Sequence, residues 1–215
     1  MNKSIIYSFP KEIQDFIGKN IIKEISIGRS GDSVYEIFGI NNYILKISSN
    51  IKMLENEKNI YQWLHINNKL PVPEVLCWYK NKFFGYLITK KIRGKMACDN
   101  YFLKRPKKLA EFLVEAIEMM SNVDISNFPF CINKDNFVFS HGDLCLPNII
   151  IRNNKIVGFV DMGDAAIRDK EYDVATSLRS YEYNLNSKKY SEYFLNLFKN
   201  INKDRVMEYY PIVFG

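Results

Sequence analysis

Histidine is almost missing from this chain: His65 and His141 are the only two in 215 residues. That leaves few candidates for a multi-histidine metal site or a serine–histidine–aspartate triad. The four cysteines, Cys77, Cys98, Cys131 and Cys145, form no CxxC pair. Neither a disulfide framework nor a cysteine zinc site is expected, and a reducing cytoplasm fits best. No apolar run approaches the roughly 18 residues needed to cross a bilayer, so no membrane span is expected. The opening Met1-Asn2-Lys3-Ser4-Ile5-Ile6-Tyr7 lacks the apolar core and small-residue cleavage site of a secretory signal. Repeats of fixed period and low-complexity tracts are absent as well. What remains is a globular composition, 47% hydrophobic and 25% charged, which excludes disorder, collagen and coiled coil for the whole chain.

The formal charge of +6 raises the question of nucleic acid. Of the 30 cations 23 are lysines spread along the chain. The short clusters, such as Lys104-Arg105-Pro106-Lys107-Lys108, carry no nucleic-acid-binding motif. A solvated basic surface explains them, and no nucleic-acid partner is expected.

Pro10 and Gly18 bracket a short first helix over 10–20. Strand-like patterning follows at 21–27, 34–38 and 43–47, with a Gly/Ser-rich turn between the first two. Leu54, Ile60, Trp63 and Leu64 recur at helical spacing and predict a helix over about 52–66. Leu70-Pro71-Val72-Pro73 ends it. Two more strands are expected at 75–79 and 83–89. Beyond Gly94 the pattern is mostly helical, at 107–120, 171–185, 188–199 and 203–210, with short β-like runs at 148–152 and 156–160. Strands first and helices after predict an α+β chain of two lobes with a boundary near Gly94.

Chemistry concentrates in His141-Gly142-Asp143-Leu144-Cys145-Leu146-Pro147-Asn148 and in Phe159-Val160-Asp161-Met162-Gly163. Phosphoryl transfer needs a carboxylate to orient and deprotonate a hydroxyl, and oxygen ligands to hold Mg²⁺ against phosphates. Asp143 suits the first role, and Asn148 and Asp161 suit the second. Each taken alone is an ordinary turn residue; their order and spacing together make the signal.

These two segments resemble the HGDxxxxN and (V/I)DxG motifs of the aminoglycoside O-phosphotransferases, most closely the 3′-phosphotransferase branch. The resemblance implies a bilobal protein-kinase-like fold, with a small antiparallel-sheet lobe at 1–90, a hinge at 91–94 and a mainly helical catalytic lobe at 95–215. It implies transfer of the γ-phosphoryl group of ATP, or GTP, with Mg²⁺, to an aminoglycoside hydroxyl, and hence an antibiotic-resistance kinase. Gly28-Arg29-Ser30-Gly31-Asp32-Ser33-Val34-Tyr35 resembles the loop that covers the nucleotide, placing Ser30, Gly31 and Ser33 beside phosphates. By the same resemblance Lys46 holds the α- and β-phosphates. Glu57 pairs with it, with Glu55 as the alternative. The segment from Tyr86 to Lys91 falls where the resemblance places an inter-lobe hinge that offers backbone groups to adenine, which assigns Ile88 and Lys90 to the nucleotide. Asp173 and His141 match supporting positions of the catalytic loop, and Cys145 reads as packing.

The chain departs from the family between Asn127 and His141, where a helical stretch bearing substrate-binding acids is cut to residues 127–140. Between 96 and 140 there are six acids against five bases, and from 165 onward seven against eight. The C-terminal segment, Tyr209-Tyr210-Pro211-Ile212-Val213-Phe214-Gly215, is not acidic, and Asp164 stands where arginine is usual. The alternatives are therefore a kinase of another small alcohol, choline- or sugar-like, and an inactive nucleotide-binding protein. The chain is expected to act as a monomer or a homodimer.

Overall fold

The computed structural model describes residues 6–25, 31–67, 70–128 and 137–213. Helix α1 (Lys11–Ile17) leads into strands β1 (Ile21–Glu24), β2 (Ser33–Phe38) and β3 (Tyr43–Ser48). Helix α2 (Ile51–Asn67) follows, then β4 (Val75–Lys80) and β5 (Gly85–Lys90). The five strands form one antiparallel sheet in the order β1-β2-β3-β5-β4. The fifth strand starts later than its sequence pattern suggested. Asn81 Oδ1 accepts from the Phe83 and Phe84 amides at 2.8 and 2.9 Å, so those two residues cap a side-chain-closed turn.

One face of this sheet is buried against α1. Ile13 and Ile17 pack with Ile37, Leu45, Tyr86 and Ile88 in a small core of their own. The other face looks into the interior of the molecule, toward α2 and the second half of the chain. Asn50 caps α2, its Oδ1 accepting from the Met53 amide at 3.2 Å. Leu54, Ile60, Tyr61 and Leu64 then fall on a single buried stripe.

Past the sheet come β6 (Lys95–Met96), α3 (Asn100–Leu103) and the amphipathic α4 (Pro106–Ser121). The chain then supplies β7 (Val138–Ser140), a 3₁₀ turn (Leu146–Asn148), β8 (Ile149–Arg152), β9 (Lys155–Phe159) and β10 (Ala166–Arg168). Helices α5 (Lys170–Leu185), α6 (Ser191–Asn196) and α7 (Lys203–Tyr209) close it. β6, β8 and β9 form a three-stranded sheet, and β7 pairs with β10. Proline at the start of α4 suits a first helical turn, whose amide has no partner within the helix. The stripe Leu109, Phe112, Leu113, Ala116, Ile117 and Met120 is buried in the main core with Phe139, Phe159, Val174 and Leu178. Leu54, Ile60 and Leu64 of α2 belong to that same core, so α2 joins the first sheet to the helical half. The helix expected over 188–199 is shorter, since residues 188–190 form a turn before Ser191.

Candidate active site

Lys46 enters the site because β3 alternates. Leu45 points into the α1-side core, so Ile44 and Lys46 point the other way, into a cleft of about 360 Å³. Register sets the cleft's direction: Lys46 lies opposite Leu87 and Ile44 opposite Thr89. The cleft therefore runs from Lys46 toward residues 89–92. Val34, Ile44 and Leu87 line it from the sheet, and Met96, Pro147 and Ile150 from the second half of the chain. An apolar slot with polar groups gathered at one end suits a flat ring attached to a charged tail.

At the polar end, Lys46 Nζ lies 2.9 Å from Glu57 Oε2, 2.5 Å from Asp161 Oδ1 and 3.6 Å from Asp32 Oδ2. Glu57 faces inward because it shares the buried stripe of α2. Glu55, two positions earlier, turns outward to Lys80 at 2.8 Å. Geometry thus separates the two glutamates proposed for Lys46. Burial pushes the Glu57 carboxyl above its ordinary value, against the pull of the Lys46 ammonium. Burial alone would lower Lys46, but Glu57 and then Asp161 outweigh it and hold the ammonium well above its usual range.

The loop after β7 is fixed by one buried carboxylate. Asp173, in the first turn of α5, accepts from Ser140 Oγ at 2.9 Å, the His141 amide at 2.8 Å and the Gly142 amide at 3.1 Å. Burial pushes its carboxyl up, while these hydrogen-bond donors pull it back. His141 is fully buried, with Nε2 3.0 Å from the Val160 carbonyl. A carbonyl only accepts, so Nε2 carries the hydrogen and Nδ1 accepts from the Asp143 amide at 3.3 Å. With both ring nitrogens bonded to backbone, His141 braces the loop, as its sequence context suggested.

Asp143 is half-buried beside Asn148. The 3₁₀ turn carries Asn148 back so that Nδ2 donates to the Asp143 carbonyl at 2.8 Å and to Oδ2 at 3.1 Å. The reversed amide would set oxygen against oxygen, so this orientation is chemically determined. Asn148 Oδ1 accepts no hydrogen bond among the described residues, and the side chain lines the cleft. Cys145 does more than pack: its thiol lies 2.8 Å from Asp143 Oδ1, as donor. Burial first, then Asp143, pushes that thiol far above its ordinary value, so it stays protonated.

The other assigned residues divide. Lys90 borders the cleft, but its amide donates to the Glu74 carbonyl at 2.9 Å and its ammonium pairs with Glu74 at 3.4 Å. Ile88 does not reach the cleft. Its side chain is in the α1-side core, and its neighbours Leu87 and Thr89 take the cleft-facing positions. Gly31 is exposed with φ +71°, and Ser33 opens β2 opposite Ile47. Ser30 lies outside the described residues.

The donor set fits a hard divalent cation completed by phosphates. No cluster of three or more acidic, histidine or cysteine ligands occurs among the described residues. Asp161 and Asn148, whose Oδ1 accepts no hydrogen bond among the described residues, line the same cleft, while its other carboxylates, Glu36 and Glu57, are paired with Lys91 and Lys46. Mg²⁺ keeps several waters and takes one or two protein ligands beside substrate phosphates. Tyr61 is the residue that sequence reasoning missed. Its hydroxyl donates to Glu57 Oε1 at 2.6 Å and accepts from the Asp161 amide at 2.8 Å. An aromatic residue on a buried helical stripe reads as core, and only its position one turn after Glu57 could have marked it.

Comparison with known proteins fits this geometry. The sequence pattern of the Phosphotransferase enzyme family matches residues 133–209. An aminoglycoside 3′-phosphotransferase of Niallia circulans is 24% identical, with 97% of each chain covered. The chain is similar over nearly its whole length to aminoglycoside 3′-phosphotransferases. It is shorter than that relative's match: the alignment runs over 258 positions, against 215 residues here. The matching family pattern and these relatives support a phosphotransferase acting on an alcohol group. Among solved structures, an aminoglycoside 3′-phosphotransferase of type VIII superposes with a TM-score of 0.75 at 18% identity, over 89% of this chain and 92% of that one. An aminoglycoside phosphotransferase of Streptomyces rimosus, in complex with ADP and streptomycin, superposes with a TM-score of 0.69 at 19% identity, over 87% and 94%. The fold is therefore the two-lobed, kinase-like α+β architecture expected from the sequence. No helix among the described residues is long and apolar enough to cross a membrane.

Proposed function

We propose that this protein transfers the γ-phosphoryl group of ATP to a hydroxyl of an aminoglycoside. The observation that carries the reading is the convergence of Lys46, Glu57, Asn148 and Asp161 on one cleft, with Asp143 hydrogen-bonded to Asn148. The nucleotide's base takes the apolar slot between Ile44, Leu87 and Ile150, and Lys46 meets its phosphates. Residues 1–90 form the nucleotide lobe, 91–94 the hinge and 95–215 the catalytic lobe. Asn148 and Asp161 hold Mg²⁺, which supplies positive charge against the phosphate oxygens.

Asp143 accepts the proton of the acceptor hydroxyl as that oxygen bonds to the γ-phosphorus. The bond from phosphorus to the β–γ bridging oxygen breaks, and ADP leaves with those electrons. Asn148 keeps the Asp143 carboxylate turned toward the acceptor by donating to Oδ2. Streptomycin and ADP in the Streptomyces rimosus neighbour support the substrate classes.

The reading is tested by drug-dependent release of ADP from ATP across an aminoglycoside panel, beside a panel of choline- and sugar-like alcohols. Turnover with an aminoglycoside is the expected result. Turnover only with the other alcohols would overturn the acceptor, and no turnover with either would overturn the kinase reading.

A further inference from the structure

The polar end of the cleft contains a closed ring of four hydrogen bonds. Lys46 Nζ donates to Glu57 Oε2 at 2.9 Å and to Asp161 Oδ1 at 2.5 Å. Tyr61 Oη donates to Glu57 Oε1 at 2.6 Å, and the Asp161 amide donates to Tyr61 Oη at 2.8 Å. Lys46 comes from β3, Glu57 and Tyr61 from α2, and Asp161 from the turn after β9. Three separate elements are therefore locked through two side-chain oxygens of Glu57 and one hydroxyl.

The hydroxyl is used to capacity. Its single hydrogen goes to Glu57, and its oxygen takes the Asp161 amide. That amide needs a partner, because β9 ends at Phe159 and the preceding amide, of Val160, is already donated to the Asn148 carbonyl at 3.0 Å. Asp161 also has φ +62°, a left-handed conformation that costs a non-glycine residue about 1 kcal/mol or more. The same unusual turn brings its carboxylate to Lys46. Tyr61 is 2% exposed, so water cannot readily replace its hydroxyl.

We propose that Tyr61 is a positioning residue that anchors the backbone of Asp161 to the Lys46–Glu57 pair, and so sets how readily the site takes a divalent cation. The inference rests on the assignment of Asp161 as a metal ligand. A fixed amide lets the carboxylate swing between Lys46 and a cation while its Cα stays in place. Without the hydroxyl, Asp161 must be ordered each time the cation binds.

Tyr61→Phe keeps the ring and removes only the oxygen. Binding of ADP to wild type and variant is measured by calorimetry, without metal and across a Mg²⁺ series. Metal-free affinity is expected to stay within about twofold. The Mg²⁺ concentration giving half of the full effect is expected to rise about tenfold, the equivalent of one hydrogen bond. A tyrosine that merely filled space would shift both affinities by one factor or neither, and either result would overturn the proposal. Hydrogen exchange of the Asp161 amide in the ligand-free wild type gives a second test that needs no variant. Slow exchange is expected, and fast exchange there would refute the anchor. If the wild type bound no ADP at all, the nucleotide reading would fall, while the exchange experiment would still decide the Tyr61–Asp161 bond.

Discussion

Gly142 offers a strict test of how the catalytic loop is built. It sits between His141 and Asp143 with φ +83°. A Cβ added there would lie 2.2 Å from the Asp164 carbonyl oxygen and 2.5 Å from Arg168 Nη1. Neither neighbour yields easily. The first is backbone, and the second belongs to a guanidinium packed over the Tyr172 ring at 4.6 Å and paired with Asp164 at 3.5 Å. The left-handed backbone costs alanine about 1–2 kcal/mol, and forcing the overlap apart adds about 1–3 kcal/mol. Gly142→Ala should therefore destabilise the protein by roughly 2–5 kcal/mol, a loss of about 2–4 °C in Tm for each kcal/mol in a chain of this size. Gly31 is the control. Its φ is +71°, but among the described residues no atom beyond its chain neighbours lies within 4 Å of an added Cβ, so only the backbone cost applies. Gly31→Ala should cost about 1–2 kcal/mol. Thermal melts and urea titrations of the two variants separate the effects. Equal losses in the two would refute the claim that close approach, rather than φ alone, demands glycine at 142.

Asp173→Ala strips the acceptor from Ser140 Oγ and from two buried amides, and is expected to cost about 2–4 kcal/mol in a urea titration. Asp173→Asn keeps one acceptor oxygen and should cost less; equal losses would contradict the hydrogen-bond account. Lys46 carries a pH prediction. Its folded-state proton affinity is raised, so the protonated form is favoured by folding, and that stabilisation is complete below its ordinary value of 10.5. As pH climbs past 10.5, the unfolded chain loses this proton first, and the stability of the wild type should fall relative to Lys46→Met. A stability gap between the two that is flat from pH 9 upward to about 12 would contradict the ion-pair geometry.

Much of the fold could be read directly from periodicity. The buried stripes of α2 and α4 and the alternation of β3 are strong local signals, and the expected spans match closely. β6 and β10 have two and three residues, too few to show a period, and they exist because β8 and β7 supply partners. The site was legible where a motif ties residue type to spacing, as at Asp143, Asn148 and Asp161. It was not legible where a tertiary contact decides. Sequence could not tell that Glu55 turns to Lys80, that Ile88 faces the α1-side core, or that the Cys145 thiol meets Asp143. Tyr61 was hidden for a related reason: burial made it look apolar, while its function lies in one oxygen.

The most direct test of the central claim is mass spectrometry of an aminoglycoside panel incubated with ATP, Mg²⁺ and either the wild-type protein or Asp143→Asn. The wild type should add one phosphoryl group to at least one drug. Asp143→Asn, with its nucleotide cleft unchanged, should bind ADP as tightly and leave the drugs unmodified. Equal phosphorylation by both proteins would contradict Asp143 as the base, and unmodified drugs in the wild-type reaction would contradict the acceptor.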